Sequence, residues 1–196
     1  MMPPAHAETP PPVILCFGDS LTAGYLVGAE ESYPALLQAR LKQQGFPHQV
    51  INAGVSGDTT AGAIRRLDWV LRSQPTLAIV VLGANDGLRG LSLTAMQENL
   101  TTILKRLKEQ KVRVILGGMR LPPNYGNAYI QTFKEIYPQI ATQQHVDLIP
   151  FFLEGVAGQT QLNFPDGIHP NAQGYTIVLE NVWRILEPIL KQHPQQ

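Results

Sequence analysis

VILCF-GDSLTAGY, residues 13–25, joins a short apolar run to a polar turn. The run is too short for a helix and rich in branched aliphatics, which reads as a strand buried on both faces. The chain leaves it through Gly18-Asp19-Ser20. A turn needs a glycine and is helped by an Asp. It has no need of a serine held at the carboxyl edge of a strand, and that edge is where open α/β sheets place their ligands.

The same kind of run returns at 49–52, 77–82, 112–116 and 146–150. Amphipathic stretches lie between and after these runs. Residues 32–44 carry Leu36, Leu37 and Leu41 on one stripe, and 59–72 carry Ile64, Leu67, Val70 and Leu71. Residues 92–110 carry Leu93, Met96, Leu100, Ile103, Leu104 and Leu107, and 127–144 and 172–192 complete the set. Pro34 suits a first helical turn and Gly45 a helix end. Strand and helix alternating five times predict a parallel sheet with helices on both faces, a three-layer α/β/α sandwich. A barrel would need eight such units and more chain.

The chain has 196 residues, 44% of them hydrophobic, which suits one domain with a substantial core. That domain is expected over 12–193, after a flexible Pro-rich segment at 1–11. Lys plus Arg equals Asp plus Glu, 15 each, so neither nucleic acid nor an anionic membrane surface is an expected partner. No run of about 18 apolar residues is present to insert in a bilayer. Ala5-His6-Ala7 is similar to the tail of a leader-cleavage site, without the apolar segment that should precede it. The expectation is an exported chain, periplasmic or secreted, that has lost its leader; a cytoplasmic location is the alternative. Cys16, the one cysteine, lies inside the first apolar run and reads as a small buried hydrophobe.

A serine hydroxyl is a weak nucleophile until a base takes its proton. Of the five histidines, His6 and His193 lie near the termini, and His48 and His145 precede strands, at the wrong edge; all four read as solvated. His169 differs. It sits in FPDGIHPNAQGY, after the fifth strand and before the last helix, with Asp166 three residues ahead. That spacing lets the carboxylate reach Nδ1–H and leaves Nε2 to face Ser20, the logic of a Ser-His-Asp triad. Pro170 keeps His169 out of helix, and Asn171 can cap the helix that follows. A developing oxyanion needs hydrogen-bond donors. Gly54 and Gly57, after the second strand, and Asn85, in LGANDG after the third, are the candidates.

Gly18-Asp19-Ser20-Leu21, Gly57, Gly83-Ala84-Asn85-Asp86 and Asp166-Gly167-Ile168-His169 resemble, in order and spacing, the four sequence blocks of the GDSL, or SGNH, hydrolases. SGDTT, NDGLRG, RLPPNYG, IYP, PFF and DGIHPNAQ resemble more narrowly its bacterial thioesterase/protease/lysophospholipase group, also known as arylesterases. The resemblance implies a flavodoxin-like five-stranded sheet of order 2-1-3-4-5. It implies hydrolysis of acyl or aryl esters and thioesters, with Ser20 as nucleophile and Asp166 and His169 completing the triad. Ser20 N–H, Gly57 N–H and the Asn85 side chain would form the oxyanion hole, with Gly54 the second choice for the glycine. Ala84 stands where close relatives often carry Gly, a change expected to narrow the hole slightly. The G-x-S-x-G elbow of the α/β-hydrolases is absent, because Thr22 occupies its last position, so the serine is expected on a looser turn.

Loops 87–93 and 119–126 are apolar and follow the third and fourth strands. Leu88, Leu121, Pro122 and Tyr125, with Asp19 and Leu21 beside the serine, are the expected substrate contacts. They suit an acyl or aryl group better than a sugar, which leaves a carbohydrate acetylesterase as the second reading. A non-catalytic flavodoxin-like binding module is the third, but a phosphate loop has no use for the Asp166/His169 pair. No cofactor is expected, nor a metal, since Asp166 and His169 have no third ligand in evident reach.

Overall fold

In the computed structural model, which describes residues 10–192, the alternation of the sequence becomes one parallel sheet. Ala5-His6-Ala7, His6 and His193 lie outside the described residues. The strands are β1 (Val13–Gly18), β2 (Gln49–Gly54), β3 (Leu77–Val81), β4 (Arg113–Gly117) and β5 (Asp147–Ile149). Their spatial order is β2-β1-β3-β4-β5, as the resemblance implied. β1 pairs with β2 from Val13↔Gln49 to Gly18↔Gly54 and with β3 from Ile14↔Leu77 to Gly18↔Val81. The carboxyl ends of three strands are thereby level, and whatever follows Gly18, Gly54 and Val81 emerges at one edge.

The helices are α1 (Ser20–Ala23), α2 (Tyr33–Gln43), α3 (Thr60–Leu71), α4 (Ala84–Leu88), α5 (Leu93–Glu109), α6 (Asn127–Gln144) and α7 (Ala172–Gln192). All five predicted helices are present, with ends within a residue of expectation. α1 and α4 were not predicted: they are single turns of 4 and 5 residues, too short for a hydrophobic period to announce them. The step from β1 to β2 runs one way across the sheet and every later step runs the other. Right-handed crossovers therefore put α2 on one face and α3, α5 and α6 on the other. The packing agrees: α2 lies against α7, and α5 against both α3 and α6.

Ile14, Leu15, Cys16 and Phe17 are fully buried, as is nearly all of β3, so the central strands form the middle of the core. Burial pushes the Cys16 thiol up to about 12, which makes it an inert apolar group at neutral pH. β2 is half exposed at the sheet edge. No described helix is long and apolar enough to cross a membrane.

Candidate active site

Ser20 is the first residue of α1, directly beyond β1. Asp19 closes the turn. The Asp19 carboxylate accepts Leu21 N–H at 3.0 Å, and its carbonyl accepts Thr22 N–H at 3.1 Å and Ala23 N–H at 2.9 Å. The first-turn amides are thus taken, save that of Ser20, which has no acceptor among the described residues.

Asn171 accepts Gly174 N–H at 3.0 Å and so caps α7, which fixes the approach of the preceding loop. In that loop Asp166 Oδ1 accepts the Ile168 and His169 amides at 2.9 and 3.0 Å. Its Oδ2 lies 2.7 Å from His169 Nδ1. On the other side of the ring, Nε2 lies 2.9 Å from Ser20 Oγ. Partial burial acts to raise the Asp166 carboxyl, but the two amides and the imidazole outweigh it and hold the group below the usual carboxylate range. Tyr25 covers part of the ring, with centroids 4.8 Å apart.

Asn85 is in the first turn of α4. Its Nδ2 donates to Asp19 Oδ2 at 3.3 Å, which leaves the second amide hydrogen open. Asp19 is buried beneath these groups. Desolvation raises its carboxyl to about 6, although the Leu21 amide, the His169 charge and Asn85 each act to lower it.

The two glycine candidates now separate. Gly54 N–H is held by Asn52 Oδ1 at 3.0 Å, and a side chain at Gly54 would meet the α1 backbone, so it serves packing and not the site. Gly57 is the third residue of a turn closed by Asp58 N–H to Val55 O at 3.0 Å, where its φ of 78° favours glycine. Its N–H makes no hydrogen bond among the described residues, though Gly57 does not border the main cleft.

That cleft has a volume of about 490 Å³ and opens beside Ser20. Asp19, Ser20 and Leu21 come from the end of β1, and Ala84, Asn85 and Leu88 from the end of β3. Met119, Arg120, Leu121, Pro122 and Pro123 follow β4; Phe151, Leu153, Ala157, Gly158, Gly167, Ile168 and His169 follow β5. Five of the six expected contacts therefore line it, but Tyr125 does not. The Tyr125 hydroxyl donates to Leu88 O at 2.9 Å and its ring stacks on Tyr129, so it buttresses the wall from outside. Arg120, with its guanidinium over the Phe151 ring at 4.4 Å, was not foreseen, nor was the 151–158 wall; the Phe151-Phe152-Leu153 run after β5 was the available signal. His48 also departs from expectation. It is half-buried, which lowers its pKa, and its Nδ1 has no partner among the described residues.

Comparison with known proteins gives a consistent result. Residues 16–177 match the model of the GDSL-like lipase/acylhydrolase family. The chain is 42% identical over 178 residues to esterase TesA of Pseudomonas aeruginosa, covering 90% of this chain and 89% of that protein. It is 38% identical over 178 residues to thioesterase 1/protease 1/lysophospholipase L1 of Escherichia coli, covering 90% of this chain and 84% of the relative. A crystal structure of TesA superposes with a TM-score of 0.88 at 41% identity, covering 91% of this chain and 99% of that one.

Proposed function

The chain belongs to the GDSL-like lipase/acylhydrolase family and is a carboxylic ester hydrolase of the esterase and thioesterase type, and we propose that Ser20, His169 and Asp166 perform its chemistry. The observation that carries this reading is the continuous line from Asp166 Oδ2 through His169, 2.7 Å to Nδ1 and 2.9 Å from Nε2, to Ser20 Oγ.

Asp166 fixes the tautomer with the proton on Nδ1, so Nε2 is the base that takes the Ser20 proton as Oγ attacks the acyl carbon. The carbonyl oxygen becomes an oxyanion. Ser20 N–H, Gly57 N–H and Asn85 Nδ2 are assigned to receive it; the first two have no other acceptor among the described residues. The imidazolium then protonates the departing alcohol, phenol or thiol. Water, deprotonated by the same nitrogen, releases the acid from the acyl-enzyme. Of the expected substrate contacts, Leu21, Leu88, Leu121 and Pro122 are assigned to an acyl or aryl group, supported by the apolar character of the wall they share with Met119, Phe151 and Leu153. An exported site of action belongs to the same proposal and is supported by Ala5-His6-Ala7; fractionation of the source cells tests it.

The direct test is release of p-nitrophenol from butyrate and octanoate esters, with Ser20→Ala beside the wild type. The expected result is activity abolished by the substitution, with a chain-length ratio that sizes the cleft. A mutant as active as wild type would remove Ser20 from the mechanism.

A further inference from the structure

The two loops assigned to the oxyanion are joined by a residue with no part in the chemistry so far. Arg89 ends α4. Its Nη2 donates to Gly57 O at 2.8 Å and lies 3.5 Å from Asn85 Oδ1. One guanidinium nitrogen thus touches both residues, although they come from different strand ends. At Asn85 the effect has a direction. A carboxamide has a donor end and an acceptor end of nearly equal shape. Here Oδ1 faces the Arg89 cation while Nδ2 faces the Asp19 carboxylate. The flipped amide would set NH₂ against a cation and C=O against a carboxylate, both unfavourable. At Gly57 the same nitrogen holds the carbonyl directly ahead of Asp58, whose carboxylate is itself bound by Arg66 at 2.7 Å. Arg66 also holds Ala53 O and Gly18 O at 2.7 and 2.8 Å, so the turn is tied to the sheet on one side and to α4 on the other.

We propose that Arg89 is a positioning residue, which keeps Gly57 and Asn85 in register and orients the Asn85 amide so that the hydrogen not held by Asp19 faces the reacting carbonyl. The inference rests on the assignment of those two residues to the oxyanion. Arg89 itself is exposed and touches no reacting atom. Its loss therefore misaligns donors without deleting them. The expected fall in kcat is a part of the 10²–10³ that follows deletion of one donor, about tenfold to a hundredfold, with KM changed less than about threefold.

The experiment measures kcat and KM on p-nitrophenyl butyrate for wild type, Arg89→Met, Arg89→Lys, Asn85→Ala and the Asn85→Ala/Arg89→Met pair, with thermal midpoints for each. The expected pattern is a kcat loss in Arg89→Met at an unchanged midpoint, partial recovery in Arg89→Lys or on adding millimolar guanidinium to Arg89→Met, and a double variant less impaired than the product of the two singles. An Arg89→Met enzyme with wild-type kcat overturns the proposal. So does a loss that tracks a lowered midpoint and is not rescued, or strictly multiplicative effects in the pair. An Asn85→Ala enzyme with full activity overturns the oxyanion assignment itself, and this proposal with it.

Discussion

Asn85→Ala separates binding from catalysis at this site. The side chain carries two amide hydrogens; one is spent on Asp19 Oδ2 at 3.3 Å, and one remains for an oxyanion. Alanine therefore removes a single donor of three, since the Ser20 and Gly57 amides stay in place. Loss of one such donor costs about 10²–10³ in kcat, or about 2.7–4 kcal/mol of transition-state stabilisation. The ground-state carbonyl engages the donors weakly, so KM should stay within about threefold. The folded state should lose little, about 1 kcal/mol for one neutral donor at a part-buried site. The assay is initial-rate hydrolysis of p-nitrophenyl butyrate, normalised to active sites by the burst of p-nitrophenol. Asn85→Asp is the companion: it exchanges the donor for an acceptor beside the Asp19 carboxylate and should be at least as impaired. A kcat within fivefold of wild type in Asn85→Ala, or a defect confined to KM, would refute the assignment.

Asp166→Asn keeps the shape but loses the charge that fixes the His169 tautomer, and should lower kcat by about 10³–10⁴ with little change in KM, measured with the same ester. Asp86→Ala tests the support beneath α4: the buried Asp86 carboxylate accepts Thr60 N–H at 2.9 Å and the Thr60 hydroxyl at 2.6 Å. Orphaning both donors should cost about 3–5 kcal/mol in urea unfolding. Asp19 gives stability an unusual pH dependence. Its folded pKa, about 6, lies above the ordinary carboxyl value of 3.8, so the folded state binds the extra proton between these values, and the Asp19 contribution to stability falls as pH rises through that window. The difference amounts to about 3 kcal/mol. Unfolding free energies at pH 4 and pH 7 should therefore diverge between wild type and Asp19→Asn by about that amount, whereas parallel behaviour would contradict the raised value.

Much of this protein was legible in its sequence because it is encoded locally. β1, β3 and β4 are runs whose side chains are buried on both faces, and the long helices carry a stripe at helical spacing, so burial itself wrote the pattern. Asp166 and His169 are three residues apart, and their contact needs only a tight loop stopped by Pro170 and a cap at Asn171. Even the elimination of His145 followed from counting strand ends. What only the tertiary structure decided depends on groups brought together from distant strands. Ser20 and His169 are 149 positions apart, and their 2.9 Å contact exists because β1 and the loop after β5 end at the same edge. The choice between Gly54 and Gly57 turned on an amide already held by Asn52, and the removal of Tyr125 from the cleft on a hydroxyl already committed to Leu88. Asp19 reads from sequence as a turn acid and a substrate contact, yet the fold buries it, and that burial raises its carboxyl. Arg89 stands in the NDGLRG stretch, but nothing local there gives it a role. A charged side chain on a loop carries no period, and its partner Gly57 lies 32 residues away, so its role became visible only when packing placed the two loops side by side.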